Sequence, residues 1–121
     1  MKALVVDDSA VMRKILIGAL TRAKITDVDQ ASDGLEAVAA VEREDYALVL
    51  MDWNMPNMLG IDAVRAIRAK GKTVPIIMVT TEAEKSRVIE ALKAGANNYI
   101  IKPFEPDAIV EKILQTIEKA A

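Results

Sequence analysis

The sequence contains no cysteine and no histidine among its 121 residues. The first absence excludes disulfide scaffolds, thiolate metal sites and cysteine nucleophiles. The second excludes imidazole acid–base work, zinc-triad chemistry and a phosphohistidine carried on this chain. Aromatic residues are scarce, at one Trp, two Tyr and one Phe. An excess of one charge is also lacking: 16 basic and 18 acidic residues give a formal net charge of -2. That balance argues against nucleic acid as a partner, since such binding leans on a positive field. Long hydrophobic runs are missing as well. The stretch Ala3 to Val6 is cut short by Asp7 and Asp8, too soon for a signal peptide or membrane span. The expectation is a cytoplasmic protein with no membrane partner. Any chemistry must come from carboxylates, lysines, hydroxyls or a bound cofactor.

What is present is enough apolar residue, 52%, to bury a core, which excludes disorder as the main state. The length predicts one domain over residues 1–121. Short apolar runs alternate with amphipathic stretches. Ala3 to Val6 reads as a buried strand. Val11, Ile15 and Ala19 share a helix face, and Thr21 to Ile25 closes that helix. Asp27 to Ala31 is a weaker strand, after which Ser32-Asp33-Gly34 supplies a turn and a helix cap. Leu35, Val38 and Val41 follow at helical spacing. Tyr46 to Met51 is the clearest strand, followed by a loop from Trp53 to Gly60 with Pro56 and Asn57 as breakers. Ile61, Val64 and Ile67 mark a third helix, ended by Gly71. Pro75 to Val79 is a fourth strand, Ala83 to Ala94 a fourth helix, and Tyr99 to Ile101 a short fifth strand. Pro106 opens the last helix, lined by Ile109, Ile113 and Ile117.

Strand and helix thus alternate five times. Continuously apolar strands are covered on both faces, which means a parallel sheet between helices. With right-handed crossovers the expected fold is α/β, a doubly wound sandwich around a five-stranded parallel sheet. Ligands in such sheets sit beyond the carboxyl ends of the strands. Asp7 and Asp8 follow the first strand, Asp52 the third, Thr80 the fourth and Lys102 the fifth. Three carboxylates, one hydroxyl and one ammonium therefore meet at one rim. The carboxylates repel one another, and a hard divalent cation relieves this; Mg2+ suits a small open site of oxygen ligands. A cation, a lysine and a hydroxyl can together hold a phosphoryl group, with Asp52 placed as a nucleophile. Taken singly, each of these residues reads as ordinary turn or surface chemistry; their joint placement carries the functional reading. A phosphatase acting on small molecules through an aspartate nucleophile is disfavoured. Asn54 stands where such enzymes carry a second acid, and no cap segment is present.

Four motifs carry a family resemblance: Val5-Val6-Asp7-Asp8-Ser9, the run Leu50 to Met58 (Leu-Met-Asp-Trp-Asn-Met-Pro-Asn-Met), Val79 to Glu82, and Gly95 to Phe104. Over nearly its whole length the chain resembles response-regulator receiver domains, and the second motif is similar to their single-domain chemotaxis type. The resemblance implies a doubly wound (βα)5 flavodoxin-like sandwich, with the parallel five-stranded sheet in order 2-1-3-4-5, and a phosphorylation-switched regulator of two-component signalling. Asp52 would be the phospho-acceptor. Mg2+ would be held by Asp7, Asp8, Asp52 and the backbone carbonyl of Asn54. Thr80 and Lys102 would contact the phosphoryl group, and Lys102-Pro103 would be a cis peptide. Thr80 and Tyr99 would form the switch, with the ring turning inward as the threonine moves. Asn54 and Glu82 would tune dephosphorylation and match a short-lived phosphoform. Ala83, Lys85, Val88, Tyr99 and Lys112 would form the partner surface. Implied partners are a cognate histidine kinase, a flagellar motor switch protein and a phosphatase; the chain itself would be a monomer and a phospho-acceptor, with no enzymatic turnover beyond its own phosphorylation and dephosphorylation. The same chemistry also serves a phosphorelay intermediate, a phosphate sink, or a receiver excised from a longer regulator. Ser9, Thr81 and Asn97-Asn98 depart from the enteric chemotaxis pattern and bear on partner choice. Trp53 is expected to be a partly exposed loop residue, and Lys85, Arg87, Lys93 and Lys112 a solvated helix face.

Overall fold

The computed structural model describes residues 1–120. Strands and helices alternate as β1 (Lys2–Val6), α1 (Ala10–Arg22), β2 (Asp27–Ala31), α2 (Gly34–Arg43), β3 (Leu48–Met51), α3 (Gly60–Ala69), β4 (Ile76–Thr80), α4 (Lys85–Ala94), β5 (Asn98–Ile101) and α5 (Pro106–Ala120). All four strand pairings are parallel, and the sheet order is β2-β1-β3-β4-β5. The expected flavodoxin-like α/β sandwich is the observed fold.

Side chains alternate across a strand, so each central strand feeds two cores. Leu4, Val6, Val49, Met51, Ile76 and Met78 point toward α2, α3 and α4, where they meet Ala37, Val64, Ile67 and Ala91. Ala3, Val5, Leu48, Leu50, Ile77 and Val79 point the other way, onto Leu16 and Leu20 of α1 and Ile109 and Ile113 of α5. β1, β3 and β4 are buried on both faces, apart from Lys2, whereas β2 lies at an edge and buries only Ala31 fully. This is why β2 reads weakly in the sequence.

Local signals set most boundaries. The Ser9 hydroxyl caps α1 by accepting from Met12 N, and the Asp33 carboxylate caps α2 by accepting from Glu36 N. Gly95 ends α4 in the left-handed conformation at φ 119, a region open to glycine. Two helix faces differ from expectation. Val11 and Ile15 point to solvent, and α1 buries Leu16 and Leu20 together with the expected Ala19. Leu35 is likewise exposed, whereas Val38 and Val41 of the same expected face pack into the core beside Ala37 and Ala40. α4 begins at Lys85, two residues later than its periodicity suggests, because Glu84 is extended, at ψ 138. No helix among the described residues is long and apolar enough to cross a membrane.

Candidate functional site

The chain leaves β1 for the β2 edge and later returns on the far side of β1 as β3, so the switch point lies between β1 and β3. Val6 and Met51 are register partners there, and Asp52 N donates to Val6 O at 3.0 Å. Asp7 and Asp52 thereby leave the sheet side by side. Asp7, Asp8 and Asp52 each offer a carboxylate oxygen, all within 4.8 Å of one another. Asp7 and Asp52 are buried and Asp8 is exposed.

The ammonium of Lys102 lies 2.8 Å from Asp7 Oδ2 and 3.5 Å from Asp52 Oδ2. Lys102 N donates to Thr80 O, which sets the lysine against the end of β4, and the Lys102-Pro103 peptide is cis. With all three carboxylates ionised, one ammonium leaves two negative charges unbalanced. Burial, the largest influence, pushes the Asp52 carboxyl above its ordinary range; Lys102 opposes this and Asp7 adds to it. An all-oxygen donor set with an uncompensated double charge fits a hard divalent cation such as Mg2+.

The loop after β3 is closely held. Trp53 N donates to Asp52 Oδ1 at 2.7 Å, and Gly60 N donates to Trp53 O at 2.8 Å. A Cβ on Gly60 would lie 1.7 Å from Asp52 O, so only glycine lets α3 start this close to the acidic residue. Trp53 is 3% exposed, against the expectation of a partly exposed loop residue. Its ring packs into the core on the α3 and α4 side, and the Arg87 guanidinium covers it at 5.6 Å from the centroid. Arg87 also pairs with Glu90, so it is more than part of a solvated face.

On the β4 side, Thr80 is fully buried and its Oγ1 accepts from Glu82 N at 3.3 Å. Asn54 Nδ2 donates to Glu82 Oε1 at 3.0 Å, joining the loops after β3 and β4. The Tyr99 hydroxyl donates to Glu82 O at 2.6 Å. The ring is 8% exposed, so it already lies inward and adds little surface to the expected partner face. Of the other residues expected on that face, Ala83 and Lys85 are exposed, while Val88 and Lys112 are half-buried. The contact of Arg87 with Trp53 was not legible in the sequence, since the two residues lie far apart along the chain.

Residues 3–114 match the family described as response regulator receiver domain, and the chain belongs to that family. It is 51% identical over 116 residues to a chemotaxis protein CheY homolog of Campylobacter jejuni, covering 93% of this chain and 89% of that one. It is 49% identical over 116 residues to chemotaxis protein CheY1 of Helicobacter pylori, covering 93% and 94%. Among solved structures, the Francisella response regulator 1452 receiver domain is similar at a TM-score of 0.91 and 27% identity, covering 99% of this chain and 98% of that one. These relatives assign the chain to two-component signalling of the chemotaxis type.

Proposed function

We propose that the chain is a phosphorylation-switched response regulator that accepts a phosphoryl group on Asp52 and passes the signal on by changed partner affinity. The carrying observation is the convergence of Asp7, Asp8 and Asp52 within 4.8 Å, with the Lys102 ammonium against two of them. Asp7, Asp8, Asp52 and the Asn54 carbonyl would hold Mg2+, which when bound neutralises phosphoryl oxygens. An Asp52 oxygen attacks the phosphorus of a kinase phosphohistidine or of acetyl phosphate. The bond from phosphorus to the donor breaks, and its electron pair leaves with the donor group. Lys102 then pairs with the phosphoryl charge, and the Thr80 hydroxyl turns from Glu82 N toward it. Glu82 moves with Thr80, and the Tyr99 hydroxyl follows the Glu82 carbonyl. The phosphoryl group thus favours one of two arrangements of the loop after β4.

The reading end of the switch is the face made by α4, β5 and α5. It leaves Leu92 and Ile101 exposed, together with Lys85. The names of the relatives support a role in chemotaxis; within this reading the partner is a flagellar motor switch protein and the location is the cytoplasm. The test is Trp53 fluorescence titrated with Mg2+ and then beryllofluoride, an acyl-phosphate mimic, on wild type and Asp52→Asn. Saturable steps in wild type, with the second absent in the variant, support the acceptor role. A flat response in wild type rejects it. Binding of the beryllofluoride form to a motor-switch peptide separates motor control from a phosphorelay or phosphate sink.

A further inference from the structure

The loop carrying Asp52 and Asn54 is anchored at its far end to a helix that contributes nothing else to the rim. Asp33 is 6% exposed and uses its two carboxylate oxygens differently. Oδ1 accepts from Glu36 N at 2.8 Å and caps α2. Oδ2 accepts from the side-chain amide of Asn57 at 2.6 Å. Asn57 itself stands at φ 67, in the left-handed region that asparagine enters more readily than most side-chain-bearing residues. The adjacent residues repeat the tie, since Gly34 N donates to Met58 O at 3.3 Å. A Cβ on Gly34 would lie 2.7 Å from that same oxygen, so glycine permits the approach. Both bonds hold the Asp33 carboxyl below its ordinary range, the Glu36 amide most and Asn57 next, which keeps it an anionic acceptor at neutral pH.

The opposite end of the loop is fixed by Asp52 and Trp53, through Asp52 N to Val6 O and Gly60 N to Trp53 O. Asn54, Met55 and Pro56 are left between these two anchors. A carbonyl in that span takes its position from both ends. We infer that Asp33, acting through Asn57, is a positioning residue for divalent-cation binding at the rim, by fixing the loop that carries the Asn54 carbonyl. The inference rests on the Mg2+ site proposed above. It assigns a role in ligand binding to the start of α2, which the acidic cluster alone does not involve.

Two variants cut the tie from either side without removing a metal ligand. Asp33→Ser keeps a good helix cap but is too short to reach Asn57. Asn57→Gly keeps the left-handed backbone and deletes the amide. Mg2+ titrations followed by Trp53 fluorescence, alongside urea unfolding, read the outcome. Each variant is expected to bind Mg2+ about tenfold more weakly, the low end for partners that orient a metal ligand. The double variant is expected to be no weaker than either single one, because both remove one tie. Asp33→Asn caps the helix and can still bond to a flipped Asn57 amide, so it is expected to bind within about twofold of wild type. Wild-type saturation with unchanged affinity in both cut variants overturns the inference and leaves the Mg2+ site standing. Asp33→Asn as weak as Asp33→Ser also overturns it, making charge the cause. No Mg2+ response in folded wild type overturns the site reading itself.

Discussion

Asn54 Nδ2 donates a 3.0 Å hydrogen bond to Glu82 Oε1, bridging the loops that follow β3 and β4. These are the two positions the family resemblance assigns to phosphoform lifetime, and they do not act as separate side chains here. Freeing one partner changes where the other points. Single replacements, Asn54→Ala and Glu82→Ala, are therefore expected to change the dephosphorylation rate non-additively. The coupling expected for residues in contact is about 0.5 kcal/mol or more. Decay of the phosphoform after removal of acetyl phosphate, followed by Trp53 fluorescence in the two singles and the double, measures it. Rates that multiply independently would show that the bond opens before hydrolysis.

Asp52 is expected to destabilise the metal-free fold at neutral pH. Burial raises its carboxyl above the ordinary 3.8, so the folded chain holds a proton that the unfolded chain has released. Stability then falls as pH rises from 3.8 through the raised value, and the full penalty is present above it. With a chelator present at pH 7, Asp52→Asn should unfold at higher urea than wild type. The gap should close as pH falls toward 3.8, where both states protonate. Mg2+ should reverse the order, since a bound ligand at a hundredfold excess over Kd adds about 2.7 kcal/mol. A less stable Asp52→Asn under chelation would mean that Lys102, and not burial, governs the carboxylate.

The rim was legible because each of its residues ends an apolar strand. Asp7 and Asp52 follow buried strands, Thr80 ends one and Lys102 follows β5, and the parallel order brings these ends together. The topology thus converts sequence position into spatial position. Trp53 was not legible in this way. A tryptophan between an aspartate and an asparagine reads as loop, and its burial comes from packing into the core on the α3 and α4 side with Arg87 lying over it. The outward faces at Val11 and Ile15 failed for another reason. α1 has apolar residues on two sides, so spacing alone does not say which side meets the sheet. Helix α4 starts late because Glu82, two residues before Glu84, is tied to both Tyr99 and Asn54. Those ties connect residues 17 and 28 positions apart, beyond any local pattern.

The two tyrosines offer a direct check on the inward ring. Burial raises both phenols to about 12, with the Asp29 carboxylate adding to the effect at Tyr46 and the Glu82 charge at Tyr99. The folded protein should therefore form little tyrosinate at pH 10, where a free phenol is half ionised. Between 10 and about 12 the unfolded chain releases protons the folded chain retains, so stability should fall with pH across that window. The ultraviolet absorbance of tyrosinate follows the ionisation, and Tyr46→Phe leaves Tyr99 as the sole phenol. Retention of its proton past pH 10 in that variant is the outcome expected of a ring whose hydroxyl is bonded to the Glu82 carbonyl. Titration near 10 in the same variant would put the Tyr99 ring in water and make the inward ring the minor state of the unphosphorylated chain.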